Sequence, residues 1–347
     1  MPDKASRLDQ ARLWSTPLVG LLGGWLASLA DWPLPWMIGS LLAVILVRCT
    51  GWMLTPLPGG RQTGQWIVAS AIGLHFTGPV FQQVLGHWWV IVLGACVTVM
   101  LCVIGIGVLR RSGVDRATAY FASMPGGAIE MVVLGMRHNA EPAKVAAAHS
   151  LRLLMVVLII PALFTFALAD TPPPEQGVTH WGWLALLMPL GAGLALVWRR
   201  LGQPNPWMLG PLTVCAVASV WFDLDIVLPP GGGELGQWLI GCALGCHFDR
   251  SFFRSAPAFM LRVVLFTLIA MVVAALGAEA LSWFADVDDI SLMLGMMPGG
   301  ITELCLTAEA LQLSVALVTA LQVLRLFLVM FLAEPAYRFW NRMQPAQ

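Results

Sequence analysis

The side chains able to do chemistry in this 347-residue chain are few, and the most telling are ionisable groups set in apolar sequence. Glu130 and Glu303 close two copies of one short motif, Met124-Pro125-Gly126-Gly127-Ala128-Ile129-Glu130 and Met297-Pro298-Gly299-Gly300-Ile301-Thr302-Glu303. Arg152 and Arg325 follow the copies, each well inside a long apolar run. A carboxylate at bilayer depth can hold a proton or Na+, and ionisable groups there are costly enough to mark ion or substrate pathways. Each arginine, at about 2.5–3.5 kcal/mol on insertion scales, must face protein or water.

The motif itself supplies a second kind of chemistry. A proline and two glycines stop a helix, and backbone groups freed in hydrocarbon persist only where protein or a wet cavity partners them. The glycine N–H groups and the N-terminus of the resuming helix carry partial positive charge, which suits an anion. Each feature also has a structural reading. The glycines could serve close helix packing, and the glutamates could cap the helix that follows. The arginines could pair with Glu130 or Glu303, or with a half-helix C-terminus. The residues expected to bind substrate or ion are therefore Pro125, Gly126, Gly127, Glu130, Arg152, Pro298, Gly299, Gly300, Glu303 and Arg325.

His149 precedes Arg152 by three residues and shares its helix face, whereas the matching position in the second copy is Gln322. Gln65, His75, Gln237 and His247 also match across the two halves and, with His149, are candidates to line a cavity. The six histidines show no helical pair at three or four residues' spacing, and the seven cysteines lie singly in apolar runs, as small core residues would. No Gly-x-x-x-x-Gly-Lys-Ser/Thr segment is present. The expectation is no enzyme, no cofactor and no metal.

The elements that must position these groups are membrane helices. The chain is 58% hydrophobic and 11% charged, where a soluble globule carries about a quarter charged residues. Its formal net charge is zero, which gives nucleic acid no basic surface. Pro33-Leu34-Pro35-Trp36-Met37-Ile38-Gly39 returns as Pro204-Asn205-Pro206-Trp207-Met208-Leu209-Gly210, and Pro58-Gly59-Gly60 returns as Pro230-Gly231-Gly232. Leu151-Arg152-Leu153 returns as Leu324-Arg325-Leu326, so the chain is one duplicated unit. Apolar segments near 14–30, 36–52, 64–82, 87–109, 117–136 and 145–168 recur near 181–198, 206–222, 236–249, 257–284, 290–311 and 313–335.

Basic residues concentrate in short cytoplasmic loops. If the Pro-Gly-Gly segments enter and return on one side, each half crosses five times and the second is inverted. All 17 lysines and arginines outside Arg152 and Arg325 then fall inside. Twelve crossings would strand Arg137, Lys144, Arg199, Arg200, Arg250, Arg254 and Arg262 outside. The expected fold is an all-α polytopic membrane protein of two inverted repeats, each with about five transmembrane helices and a broken or re-entrant Pro-Gly-Gly hairpin. Residues 1–13 form a cytoplasmic N-terminus, 14–169 the first repeat, 170–180 an external Pro-rich linker, and 181–347 the second repeat with a cytoplasmic C-terminus.

At the paired Met-Pro-Gly-Gly segments, the Leu-Arg-Leu triplets and Gly245-Cys246-His247-Phe248-Asp249, the sequence resembles the AbrB family of duplicated bacterial inner-membrane proteins. The resemblance covers nearly the whole chain. It implies the bacterial cytoplasmic membrane and labels of regulator of aidB expression or ammonia monooxygenase, distinct from the soluble DNA-binding AbrB. It carries over Pro125, Gly126, Gly127, Arg152, Pro298, Gly299, Gly300 and Arg325. Broken helices in corresponding places of two repeats point to an ion-coupled secondary transporter of a small solute, an organic anion moved with H+ or Na+. A membrane regulator or sensor acting indirectly is the alternative. An oxygenase would need a clustered copper or iron site and ranks last. The expected partners are the solute with its coupling ion, the lipid bilayer and a second copy of the chain.

Overall fold

The computed structural model describes residues 4–167, 178–254, 256–285 and 287–343. Most of the expected external linker, with Asp170 and the three consecutive prolines, lies outside the described residues, as does Asp286. Apart from an isolated bridge between Val178 and Ile226, regular structure among the described residues is helical. Eight helices come first: α1 (Lys4–Leu29), α2 (Pro35–Cys49), α3 (Gly60–Leu74), α4 (Gly78–Gly86), α5 (Trp88–Arg110), α6 (Arg116–Ser123), α7 (Ala128–Arg137) and α8 (Pro142–Ala167). Eight counterparts follow: α9 (Trp181–Arg200), α10 (Pro206–Phe222), α11 (Gly232–Gly245), α12 (Arg250–Arg254), α13 (Pro257–Ser282), α14 (Asp289–Met296), α15 (Ile301–Ala310) and α16 (Val315–Met343).

The repeated punctuation explains the repeated boundaries. Pro35 and Pro206 open α2 and α10, where a missing N–H costs nothing. Gly59 and Gly231 precede α3 and α11 at φ 75° and 85°, a left-handed turn open to glycine without a Cβ penalty. The apolar stretch expected to run from 64 to 82 is interrupted after Leu74, and a new helix starts at Gly78 with Pro79 in its first turn, where a missing N–H costs nothing.

Among the described residues, five helices are long and apolar enough to cross a membrane: Trp88–Arg110, Pro142–Thr165, Trp181–Arg200, Pro257–Ser282 and Val315–Met343. Leu13–Leu29, Pro35–Cys49 and Pro206–Phe222 are apolar but shorter. The long helices turn apolar side chains outward, Met100 and Val103 on α5 and Leu261 and Leu276 on α13, as helices solvated by lipid tails do. Cys102, Cys215, Cys242 and Cys305 are buried as expected, while Cys96 is exposed.

The helices gather into two compact units, and each draws on both halves of the duplication. The first holds α1–α3 and α9–α12; there α2 packs on α11 and, equivalently, α3 on α10. The second holds α5–α7, most of α8, α13, α14, nearly all of α15, and α16. Within it α5 packs on α13 and α16, and α5 and α13 carry α6 and α14 respectively. All ten residues expected to bind substrate or ion belong to this second unit.

Candidate functional site

Each Pro-Gly-Gly segment separates two short helices of 8 and 10 residues. Asp115 starts α6 by accepting from the Thr118 N–H at 2.8 Å, and Asp288 starts α14 by accepting from the Ser291 N–H at 2.8 Å. The hydroxyls of those residues then accept from the backbone beyond the second short helix, Glu141 N–H to Thr118 Oγ1 at 2.7 Å and Ser314 N–H to Ser291 Oγ at 2.9 Å. This tie was missed from sequence, although Asp-x-x-Thr and Asp-x-x-Ser at matching positions is a legible capping signal.

The helices stop where the chain turns extended, at Met124 (ψ 134°) and Met297 (ψ 143°). There the arginines act on the backbone. Arg152 Nη1 donates to Met124 O at 3.1 Å and Nη2 to His149 Nδ1 at 2.9 Å. Arg325 Nη1 donates to Met297 O at 2.9 Å and Nη2 to Gly299 O at 2.7 Å. Both side chains are nearly fully buried. Their positive charge meets the negative end of a helix whose last carbonyls have no intrahelical partner.

His149 and Gln322 play one role in two chemistries. The Nε2–H of His149 donates to Phe121 O at 3.0 Å, and its Nδ1 accepts from Arg152, which fixes a neutral tautomer. Gln322 Nε2 donates to Gly295 O at 2.7 Å and to Met297 O at 3.2 Å. Glutamine can therefore replace histidine because the duty is donation to a carbonyl, which needs no titration.

Glu130 and Glu303 fold back over the glycine before their own helix, so that a Cβ added to Gly127 or Gly300 would collide with the carboxylate. That is the capping placement, negative charge at a positive helix end. Glu303 is buried, whereas Glu130 is half-buried beside exposed Ala128 and Ile129. Each break thus carries an arginine on its negative pole and a glutamate on its positive pole. Gly126 lies against Val329 of α16, and Gly299 against Val156 of α8.

The other candidates sit in the first unit. Gln65 donates to Asn205 Oδ1 at 3.2 Å, His75 Nδ1 lies 2.9 Å from Ala71 O, and His247 Nδ1 lies 3.2 Å from Leu244 O. Gln237 Oε1 is buried without a partner. No group of three or more metal-ligating side chains occurs among the described residues.

The family model described as "Transition state regulatory protein AbrB" matches residues 36–341, most of the chain and both breaks. The chain belongs to the AbrB family. Its AbrB-family relatives include "Uncharacterized protein YhjN" of Bacillus subtilis (strain 168), 25% identical with 94% of this chain and 92% of the relative covered. Another is "Putative regulator AbrB" of Escherichia coli (strain K12), 25% identical with 90% and 92% covered.

Proposed function

We propose that this AbrB-family protein is an ion-coupled secondary transporter of a small organic anion, with its site at the two helix breaks. The observation that carries the proposal is the pair of interrupted helices at matching positions of a duplicated chain, each with a buried arginine and a carboxylate. Interrupted helices in corresponding places of two repeats are the usual location of a transporter's solute and coupling-ion sites. The charge at each break is balanced, an arginine against a helix C-terminus and a glutamate against an N-terminus. A balanced site favours an anion that arrives with a proton or Na+ over an anion alone.

The same proposal includes ten crossings of the bacterial inner membrane, inverted repeats, cytoplasmic termini and re-entrant hairpins. Re-entry is supported by the Thr118–Glu141 and Ser291–Ser314 bonds, which join the start of one short helix to the end of the next. Cysteine-accessibility labelling is expected to report Arg137 and Asp170 on opposite sides of the membrane; labelling from one side would refute this topology.

Transport is tested by reconstitution in liposomes with an imposed pH or Na+ gradient. Gradient-dependent uptake of a small carboxylate is expected, and its absence across a metabolite panel would overturn the proposal. A regulator is the second reading, favoured by the family's description and the name of the Escherichia coli relative. In that case the solute is sensed at the same breaks.

A further inference from the structure

The two breaks differ chemically, and the difference sits in α16. In the first, His149 uses both ring nitrogens, one toward Phe121 O and one toward Arg152. Among the described residues, none of the buried, partnerless side-chain atoms belongs to His149 or Arg152. In the second break, Gln322 spends its amide N–H groups on Gly295 O and Met297 O, which leaves its Oε1 buried without a partner. Arg325 spends both Nη atoms on Met297 O and Gly299 O and keeps its Nε–H buried and unpaired. These two side chains are 0% and 5% exposed.

Turning the Gln322 amide over does not help, because its oxygen would then face two carbonyl oxygens. The residues stand three apart on one helix and share a face. On that face they offer an unpaired acceptor and an unpaired, charged donor. The complement is a group with a hydrogen-bond acceptor and a donor on one carbon, such as a carboxylic acid or a carboxamide. An ionised carboxylate answers the arginine alone and sets a second lone pair against Gln322 Oε1.

Resting on the transport reading, we propose that the second break recognises the solute and binds a small carboxylic acid together with its proton. The acid's carbonyl oxygen accepts from Arg325 Nε–H, and its hydroxyl donates to Gln322 Oε1. The first break is the internally satisfied twin. Ionisable groups on the helices beside this break include Glu303 and Cys305 of α15 and Arg152 of α8; the Cys305 thiol lies 3.1 Å from the Thr319 hydroxyl.

Thermal-shift titration of the purified full-length protein tests this with propionate, propionamide and ethanesulfonate at pH 5.5 and 7.5. Propionamide is expected to stabilise equally at both values, which separates the ligand's proton from any titration of Glu303. Propionate is expected to bind about a hundredfold more weakly at pH 7.5, since its protonated fraction falls about tenfold per pH unit. Ethanesulfonate is expected to do nothing. Gln322→His rebuilds the first break's arrangement, keeping the carbonyl donor while its Nδ1 accepts from Arg325, so the fold persists and both responses vanish.

Binding of ethanesulfonate, equal propionate binding at both pH values, silence of all three probes, or responses intact in Gln322→His would overturn the proposal. If the binding pattern holds but proteoliposomes take up no propionate, the transport reading fails and the site stands. If uptake occurs without the pattern, only the site fails.

Discussion

Replacing Arg152 by methionine is expected to destabilise the protein by several kcal/mol, and a second change, Glu130→Gln, is not expected to restore it. The guanidinium makes two hydrogen bonds, to Met124 O and to His149 Nδ1. Hydrogen bonds to charged groups contribute about 1.5–3 kcal/mol each. Their loss also strands a helix-end carbonyl where water is scarce, a further cost of the same order. Rescue by the glutamate change would require that Arg152 chiefly neutralises Glu130. No ion pair joins the two among the described residues, and Glu130 is folded over its own helix start instead. Unfolding midpoints of the two single variants and the double variant form a cycle that isolates the coupling. A double variant within about 1 kcal/mol of wild type would show that the carbonyl bonds matter little.

The second large effect is expected at the tips. In Gly299→Leu the new Cβ would sit 2.7 Å from Val156 Cγ1 and 2.9 Å from Leu304 Cδ1; in Gly126→Leu it would sit 2.9 Å from Val329 Cγ1. A valine side chain has one stiff χ1 and little room to yield, so the backbone of the break must move. Overpacking of this kind costs about 1–3 kcal/mol, and the displaced tip no longer presents Gly299 O to Arg325. The expectation is protein that still inserts and purifies, melts at a lower temperature and shows no uptake. Wild-type uptake in both variants would remove the tips from the site.

Much of this was legible in the residues themselves. The ends of the short helices fall where Pro125-Gly126-Gly127 and Pro298-Gly299-Gly300 require them, because proline and glycine act through local backbone geometry. The helical class followed from hydropathy for the same reason, since apolar length is a local property. The partners of Arg152 and Arg325 were narrowed only to alternatives, because a backbone carbonyl has no letter in the sequence and any helix end could supply one. The inequality of the two breaks was visible as His149 against Gln322, yet its meaning required knowing that both side chains face carbonyls. The early stop of α3 was hidden because Phe76, Val80 and Phe81 keep the stretch apolar through the turn. The gathering of both halves into each compact unit could not be read at all, since apolar helices carry no label for their neighbours.

The reach of the arginine bonds sets an order of events during synthesis. Every acceptor of Arg152 and Arg325 lies within 28 residues upstream on the same half, already made when the arginine leaves the ribosome. The contacts of the tips run the other way: Gly126 waits for Val329, and Gly299 looks back to Val156. A nascent first half can therefore shelter its charge at membrane insertion with no help from sequence still to come. Closing the structure must wait for the last helix. Each half, expressed as a separate chain, should then enter the bilayer alone and reach its compact form only when the other is present.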